Sequence, residues 1–209
     1  MKNYVLIHGS YSNSKEHWFP WLEEKLKAAG EEVLSLDYPT NPNPVEAANV
    51  QNYEDWAKVL DTIKDKINKE TIFIGHSISN IFFVKYCIEH NIKIDKAIFV
   101  AGFTNYNSGY TDFVEGMLKQ VGYDFFDKAM HTFYPQNPEI FKKCAKSRIC
   151  FYSDNDPIIS QAKLKEFPRL MGAKRVCITG AGHFCDGIYD ESFEEILPYL
   201  DCIDIGVKV

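Results

Sequence analysis

The stretch TIFIGHSISNIFFVKYCIEH occupies residues 71–90 and changes its pattern in the middle. Its first five residues form an apolar run rich in β-branched and aromatic side chains, which is typical of a buried parallel strand. From residue 78 onward the pattern is helical. The two patterns meet at Gly75, His76 and Ser77, so the sequence predicts a strand that turns sharply into a helix with a serine at the turn.

Further strand and helix patterns alternate on both sides of this unit. Strands are predicted at residues 4–8, 96–102 and 148–153, and more weakly at 32–37 and 175–179. Helices are predicted at residues 16–30, 53–67, 160–167 and 191–200. This alternation predicts an α/β protein with a doubly wound parallel sheet and right-handed crossovers. A chain of 209 residues suits one domain, so we expect residues 1–209 to form a single unit.

Residues 103–146 interrupt the alternation, because they contain no strand pattern and are too long for a plain connection. Ten aromatic residues fall in this segment: Phe103, Tyr106, Tyr110, Phe113, Tyr123, Phe125, Phe126, Phe133, Tyr134 and Phe141. We expect a small helical cap over the carboxyl edge of the sheet, where open α/β sheets bind ligands. The aromatic side chains would line a substrate pocket or fill the cap's own core, and the sequence leaves both open.

Composition narrows the range of partners. The formal net charge is −6, and no cluster of Lys and Arg forms a basic patch, so neither nucleic acid nor an anionic membrane is expected as a partner. The chain has no signal-peptide core and no run of about 20 apolar residues, which favours a cytoplasmic protein. The six cysteines form no CxxC pair and are interpreted as reduced structural thiols. The cluster HFCD at 183–186 lacks a second ligand pair, so no metal is expected.

The turn at Ser77 is similar to the G-x-S-x-G pattern that presents a nucleophilic serine, except that Ser79 replaces the second glycine. Strand and helix approach closely there, so the positions two before and two after the serine must be small. Gly75 satisfies this, while Ser79 adds a Cβ and a hydroxyl. Ser79 is the poorer nucleophile candidate, because Ile81 would then take the tight position. Alone, a G-x-S triplet arises by chance about once in such a chain.

A carboxylate follows the strand predicted at 148–153. The stretch DNDPII occupies residues 154–159, and Asp156 is preferred to Asp154 as the acid that orients a catalytic base. Taken alone, the same residues would be an Asp–Pro turn capped by Asp154.

A histidine follows the last predicted strand, in GAGHFCD at residues 180–186. Gly180 and Gly182 would let this loop present His183 to Ser77 as the base, whereas alone His183 would be a surface residue in a glycine turn. Ser77, Asp156 and His183 occur in the order Ser…Asp…His, each just past a strand. This order makes the three weak signals a strong one.

An acyl-transfer site also needs backbone N–H groups that bind the developing oxyanion. One is expected from Ile78, directly after the nucleophile, and the other from Ser10 in the loop IHGSYS after the first strand. His8 is interpreted as structural, because a second imidazole has no proton to move. The histidines at 17, 76, 90 and 131 are expected to lie on the surface or to pack locally.

These motifs resemble the α/β-hydrolases, and more narrowly the serine hydrolase family of retinoblastoma-binding protein nine and the bacterial YdeN proteins. The resemblance covers nearly the whole chain and lies in VLIHGS, HWFPWLEEKL, YPTNPNP, IFIGHS, FYSDNDPII and GAGHF. It implies a compact six-stranded parallel sheet of order 2-1-3-4-5-6 with helices on both faces, and hydrolysis without a cofactor. By motif, Ser77 matches the family nucleophile, Asp156 the acid and His183 the base.

The predicted activity is hydrolysis of a small-molecule carboxylic ester or thioester through an acyl-enzyme. The alternative is a catalytically weak or inactive hydrolase fold that binds a protein partner, since fold alone does not establish chemistry. A third hypothesis is that the triad cleaves an amide or a carbon–carbon bond instead of an ester. Completeness of the triad favours the enzyme.

Overall fold

The computed structural model describes residues 2–40, 50–104, 111–121 and 131–202. Six parallel strands form one sheet in the order β2-β1-β3-β4-β5-β6, as predicted. The strands are β1 (Asn3–Ile7), β2 (Glu32–Ser35), β3 (Thr71–His76), β4 (Ile94–Val100), β5 (Ala145–Ser153) and β6 (Lys174–Ile178). Each of the six predicted strands is confirmed to within about three residues at its ends.

Five α-helices lie in the described residues: α1 (Phe19–Ala28), α2 (Tyr53–Asp61), α3 (Ile78–Glu89), α4 (Asp112–Val121) and α5 (Gln161–Met171). Short 3-10 helices cover Lys64–Lys66, Pro138–Lys143, Gly187–Asp190 and Glu194–Tyr199. Within the described residues, every helix is too short or too polar to cross a bilayer.

The central strands are apolar because helices cover both faces of the sheet. Phe99 of β4 pairs in register with Cys150 of β5, so the next residue, Phe151, points to the opposite face. On one face Phe99 meets Phe167 of α5 edge-on, with ring centroids 5.1 Å apart. On the other face Phe151 meets Phe193, also at 5.1 Å. Every residue of β1 and of β3 is buried between these two layers.

The C-terminal segment corrects the helix predicted at residues 191–200. The structure has only the 3-10 helix Glu194–Tyr199 there, and Pro198 lies inside it. Phe193, which is fully buried against Phe151, has φ −141° and ψ 73°, so the backbone is outside the helical region just before Glu194. In contrast, α5 extends through Pro168 to Met171, beyond the predicted end at residue 167, and stops at Gly172 in the left-handed conformation.

Only part of the predicted cap lies in the described residues. It contains α4 and the 3-10 helix Pro138–Lys143, and β5 begins at Ala145, just before the predicted boundary at 146. Of its aromatic residues, Phe103, Phe133 and Phe141 are buried in the main core. Tyr106, Tyr110, Tyr123, Phe125 and Phe126 lie outside the described residues. The cap's position over the carboxyl edge of the sheet stays a prediction.

The contact between Gly102 and α5 gives a test of this packing. A Cβ on Gly102 would lie 2.5 Å from Cε1 of Phe167, so Gly102→Ala forces the ring to move. We expect a loss of about 1–3 kcal/mol in the free energy of unfolding, measured by urea denaturation. The control is Gly116→Ala on α4, where a Cβ meets nothing within 4 Å. It should stabilise by about 0.5–1 kcal/mol, and a neutral Gly102→Ala would contradict the packing.

Candidate active site

Ser77 lies at the turn between β3 and α3 in a backbone conformation that non-glycine residues rarely adopt, with φ 57° and ψ −125°. Its N–H donates to the carbonyl of Val100 at the end of β4, at 2.9 Å. The Asn80 amide donates to the carbonyls of Ser77 (3.0 Å) and Val100 (2.8 Å). The turn is therefore fastened to the neighbouring strand through both the backbone and a buried side chain.

Two glycines let the backbone pack against this turn. A Cβ on Gly75 would lie 2.3 Å from Cζ of Phe73, so the position two residues before Ser77 has no room for a side chain. A Cβ on Gly9 would lie 2.9 Å from Nδ1 of His76 and 3.2 Å from Cβ of Ser77. The loop after β1 thus lies directly against the nucleophile candidate.

Ser79, the residue that breaks the sequence pattern, is fully buried and hydrogen-bonded. Its Oγ accepts from the His76 N–H at 2.8 Å. The same Oγ lies 2.9 Å from the carbonyl oxygen of Ile7 and 2.7 Å from that of His76, one of which receives the single hydroxyl proton. The hydroxyl therefore joins the turn to the ends of β1 and β3, which is how the structure accommodates a serine where the pattern has glycine.

The structure brings together the three residues that the sequence predicts. Nε2 of His183 lies 3.0 Å from Oγ of Ser77, and its Nδ1 lies 2.7 Å from Oδ2 of Asp156. The other oxygen of Asp156 accepts from the N–H groups of Ile158 (2.8 Å) and Ile159 (2.9 Å). The carboxylate can hold Nδ1–H and leave Nε2 as the acceptor for a serine proton, which is the geometry that acyl transfer requires.

The two residues before Asp156 have a function that the sequence analysis missed. Oδ1 of Asp154 accepts from the Gly180 N–H at 2.9 Å, and Oδ1 of Asn155 accepts from the Gly182 N–H at 2.8 Å. The loop that carries Asp156 therefore fixes the backbone of the loop that carries His183. These contacts join residues 26 and 27 positions apart, so local spacing gives no signal for them.

Two ring N–H groups hold the loop of His183 from the other side. Nε2 of His76 donates to the His183 carbonyl at 2.7 Å, and Nε1 of Trp18 donates to the Phe184 carbonyl at 3.1 Å. Phe184 itself has φ 58°, so this loop is held in a left-handed conformation. The sequence analysis treated His76 as a locally packed or surface residue, because a contact across 107 positions leaves no trace in local spacing.

Burial keeps two imidazoles beside the site neutral. Desolvation, followed by the charge of a protonated His183, holds the pKa of His76 well below its usual value. Desolvation likewise lowers the pKa of His8. His8 is buried at the end of β1, where its ring packs edge-on against Tyr38 and Trp56 and its ring nitrogens hydrogen-bond to backbone groups.

One predicted oxyanion donor is adjacent to Ser77 in sequence, and the other belongs to a loop that contacts Ser77. Ile78 is its direct neighbour at the start of α3, and Ser10 follows Gly9 in the loop that contacts Ser77. No described residue accepts a hydrogen bond from the backbone N–H of Ile78 or Ser10.

The hydroxyl of Ser79 provides a test of how the turn is held. Ser79→Ala leaves the buried His76 N–H without its acceptor, so we expect a loss of about 1–3 kcal/mol in the free energy of unfolding. The matched control is Ser160→Ala, because the buried hydroxyl of Ser160 has no partner in the described residues. It should change stability by less than about 0.5 kcal/mol. Equal losses in the two variants would show that the Ser79 hydrogen bonds contribute nothing.

The neutral His76 should make the protein less stable in acid. The unfolded chain takes up a proton near the usual pKa of 6.5, whereas the folded chain, with its lowered pKa, does so only at lower pH. Stability is therefore fully present above pH 6.5 and is lost as the pH falls. His76→Gln removes this titration, and the slope of unfolding free energy against pH between 6.5 and 5 should decrease by up to about 1.4 kcal/mol per pH unit.

Denaturant unfolding at a series of pH values measures these slopes. Ser160→Ala, which removes no titratable group, is the control and should keep the parental slope. A parental slope in His76→Gln would contradict the assignment of a neutral, buried His76.

Known proteins are similar to this chain in sequence and in architecture. The YdeN protein of Bacillus subtilis (strain 168) is 25% identical over 198 residues, which cover 93% of this chain and 90% of YdeN. The crystal structure of the ydeN gene product superposes with a TM-score of 0.74 over 95% of this chain and 96% of that chain, at 23% identity.

More distant solved structures share the fold. An extracellular α/β-hydrolase from a Paenibacillus species has a TM-score of 0.62 at 16% identity, covering 88% of this chain and 91% of that chain. The methylesterase MES16 from Arabidopsis has a TM-score of 0.55 at 14% identity, covering 86% and 89%. With the strand order described above, these similarities establish the α/β-hydrolase fold. The family model described as "Serine hydrolase" matches residues 4–201, so the chain belongs to the serine hydrolase family and is a hydrolase.

Proposed function

We propose that the protein hydrolyses a carboxylic ester or thioester through an acyl-enzyme formed on Ser77. The observation that carries this proposal is the continuous chain of contacts from Ser77 Oγ to His183 (3.0 Å) and from His183 to Asp156 (2.7 Å). A serine hydroxyl is a weak nucleophile until a base takes its proton, and a base needs a partner that fixes its tautomer. Each group has its partner within hydrogen-bonding distance.

The reaction follows from this geometry. His183 Nε2 removes the proton as Ser77 Oγ attacks the substrate carbonyl, and the resulting oxyanion is bound by the N–H groups of Ile78 and Ser10. His183 then gives its proton to the departing alcohol or thiol, which leaves an acyl group on Ser77. Water, activated by the same imidazole, releases the carboxylic acid and restores the serine. Asp156 stays ionised throughout and stabilises the imidazolium.

The ester preference draws support from the chemistry and from one fold neighbour. Alcohols and thiols leave a tetrahedral intermediate with less help from a general acid than amines do, so a site with a simple triad suffices for esters and thioesters. The Arabidopsis neighbour is a methylesterase by name, which agrees with an ester substrate. The substrate is a small acyl compound in this proposal, because only 8% of the surface of Ser77 is exposed.

A fluorophosphonate probe tests whether Ser77 is activated. We expect the probe to label the wild type and Ser79→Ala but not Ser77→Ala, because only an activated serine attacks the phosphorus. His183→Ala should label at least about 10³-fold more slowly, since the base is lost. Labelling is followed by fluorescence and by mass spectrometry of the modified peptide, with circular dichroism to show that each variant is folded.

A panel of esters, thioesters and amides then separates the substrate classes. The proposal predicts turnover of short-chain 4-nitrophenyl esters or acyl thioesters that disappears in Ser77→Ala. If neither a large nor a small phosphonate probe labels the folded wild type, the proposal is contradicted. That result would favour the alternative in which the hydrolase fold binds a protein partner. Labelling with turnover of amides alone would keep Ser77 and overturn the ester assignment.

A further inference from the structure

His8 contacts the loop that carries a predicted oxyanion donor, and the mechanism above gives it no proton to move. It lies directly after β1 and is 1% exposed. Its Nδ1 lies 2.8 Å from the carbonyl oxygen of Gly9, and its Nε2 lies 2.9 Å from the backbone nitrogen of Tyr38. Both ring nitrogens are therefore engaged with backbone groups.

These two partners determine the tautomer of His8. A carbonyl oxygen only accepts, so Nδ1 must carry the proton and donate it to Gly9. A backbone N–H only donates, so Nε2 must be the unprotonated acceptor for Tyr38. A second ring proton would point at the Tyr38 N–H, and burial lowers the pKa of His8, so both effects keep the ring neutral. The result is a ring with one fixed donor and one fixed acceptor.

The donor acts on a peptide group that has two ends. The carbonyl of Gly9 and the N–H of Ser10 belong to the same planar unit, and no described peptide bond is cis. In a trans peptide the C=O and N–H point in opposite directions, so fixing one end fixes the other. The ring of His8 therefore determines where the Ser10 N–H points.

We propose that His8 is a positioning residue for the oxyanion site: it holds the Gly9–Ser10 peptide so that the Ser10 N–H faces the oxygen of an acyl group on Ser77. This inference rests on the proposed function and adds to it a residue that touches no substrate. The loop is close enough for this role, because a Cβ on Gly9 would lie only 3.2 Å from Cβ of Ser77.

The rest of the loop supports a fixed peptide rather than a freely rotating one. The next residue, Tyr11, has φ 59°, and its N–H donates to Oε1 of the buried Gln51 at 3.1 Å. The Gly9–Ser10 peptide thus lies between two anchored points, one a ring and one a buried amide. Of the two, only the His8 bond acts on the peptide that carries the Ser10 N–H.

Two variants of similar polarity separate the two hydrogen bonds of His8. His8→Asn places an amide nitrogen near the position of Nδ1, so it can still donate to Gly9, but it loses the bond to Tyr38. His8→Gln places its amide near the position of Nε2, so it can still accept from Tyr38, but it loses the bond to Gly9. A role limited to packing predicts similar activities for the two variants, whereas a positioning role predicts that only the first stays active.

The readout compares kcat/KM for 4-nitrophenyl butyrate and for its thionoester, in which sulfur replaces the carbonyl oxygen. Sulfur is a weak hydrogen-bond acceptor, so the thionoester gains little from oriented N–H donors. Both substrates are measured on the same preparation, so the amount of folded enzyme cancels from their ratio. Thermal unfolding of each variant accompanies the kinetics.

We expect His8→Gln to lower kcat/KM for the oxoester by about 10- to 100-fold, with a much smaller effect on the thionoester. His8→Asn should keep the oxoester-to-thionoester ratio within about threefold of wild type, given that one backbone donor is at stake. A parallel loss on both substrates, or equal ratios in the two variants, would overturn the positioning role while leaving the proposed function intact. A wild type that neither hydrolyses the oxoester nor labels at Ser77 would overturn the proposed function, and this inference with it.

Discussion

The left-handed backbone of Ser77 is the constraint on which the rest of the site depends. A non-glycine residue with φ 57° and ψ −125° costs of the order of 1–3 kcal/mol, and it persists only where its surroundings determine it. Here the carbonyl of Val100 receives the Ser77 N–H, and Asn80 holds the Ser77 carbonyl. Glycines at 9 and 75 leave room for the close approach. The strained turn is what raises the serine hydroxyl above the sheet and toward His183.

Hydrogen bonds from side chains to backbone extend this order from one loop to the next. The carboxyl ends of parallel strands lie at the same edge of the sheet. The loops that follow them form no regular backbone hydrogen bonds of their own. The loop after β5 binds the backbone of the loop after β6 through Asp154 and Asn155. The end of β3 binds that same loop through His76, and the segment before α1 binds it through Trp18. The loop of His183 is thus held by several neighbouring segments, so the distance from His183 to Ser77 depends on contacts along the whole edge.

The elements that sequence reasoning predicted are those whose signal is local. A strand buried on both faces must be apolar along its length, so β1, β3, β4 and β5 can be predicted from the sequence. The candidate site residues can be predicted as well, because each of them comes directly after a strand. The prediction of a C-terminal α-helix was wrong because packing against Phe151 holds Phe193 in a non-helical conformation, although the apolar spacing is helical. The roles of Asp154, Asn155 and Trp18 arise from contacts between distant segments, on which local spacing carries no information.

Ser79, at a position where the sequence pattern has glycine, shows that contacts with distant residues decide whether a departure from a motif is tolerated. Judged by size alone, an extra Cβ and hydroxyl in a tight turn are a cost. In the structure the hydroxyl lies 2.9 Å from the carbonyl of Ile7, a residue 72 positions away, and receives the N–H of His76. The substitution therefore replaces conformational freedom with a buried polar link, which is stabilising only because both partners are already in place.

Two neutral imidazoles, those of His76 and His8, lie beside the candidate site. In the proposed mechanism, a positive charge on His76 would repel the proton that His183 accepts from Ser77, since the two ring centroids are 4.9 Å apart in a buried site. Burial removes that charge, and the His183 carbonyl fixes the remaining proton of His76 on Nε2. His8, beside the other half of the site, is kept neutral by the same means. His8 and His76 can therefore act as rigid hydrogen-bonding groups, and in the proposed mechanism their burial leaves the proton transfer to His183 alone.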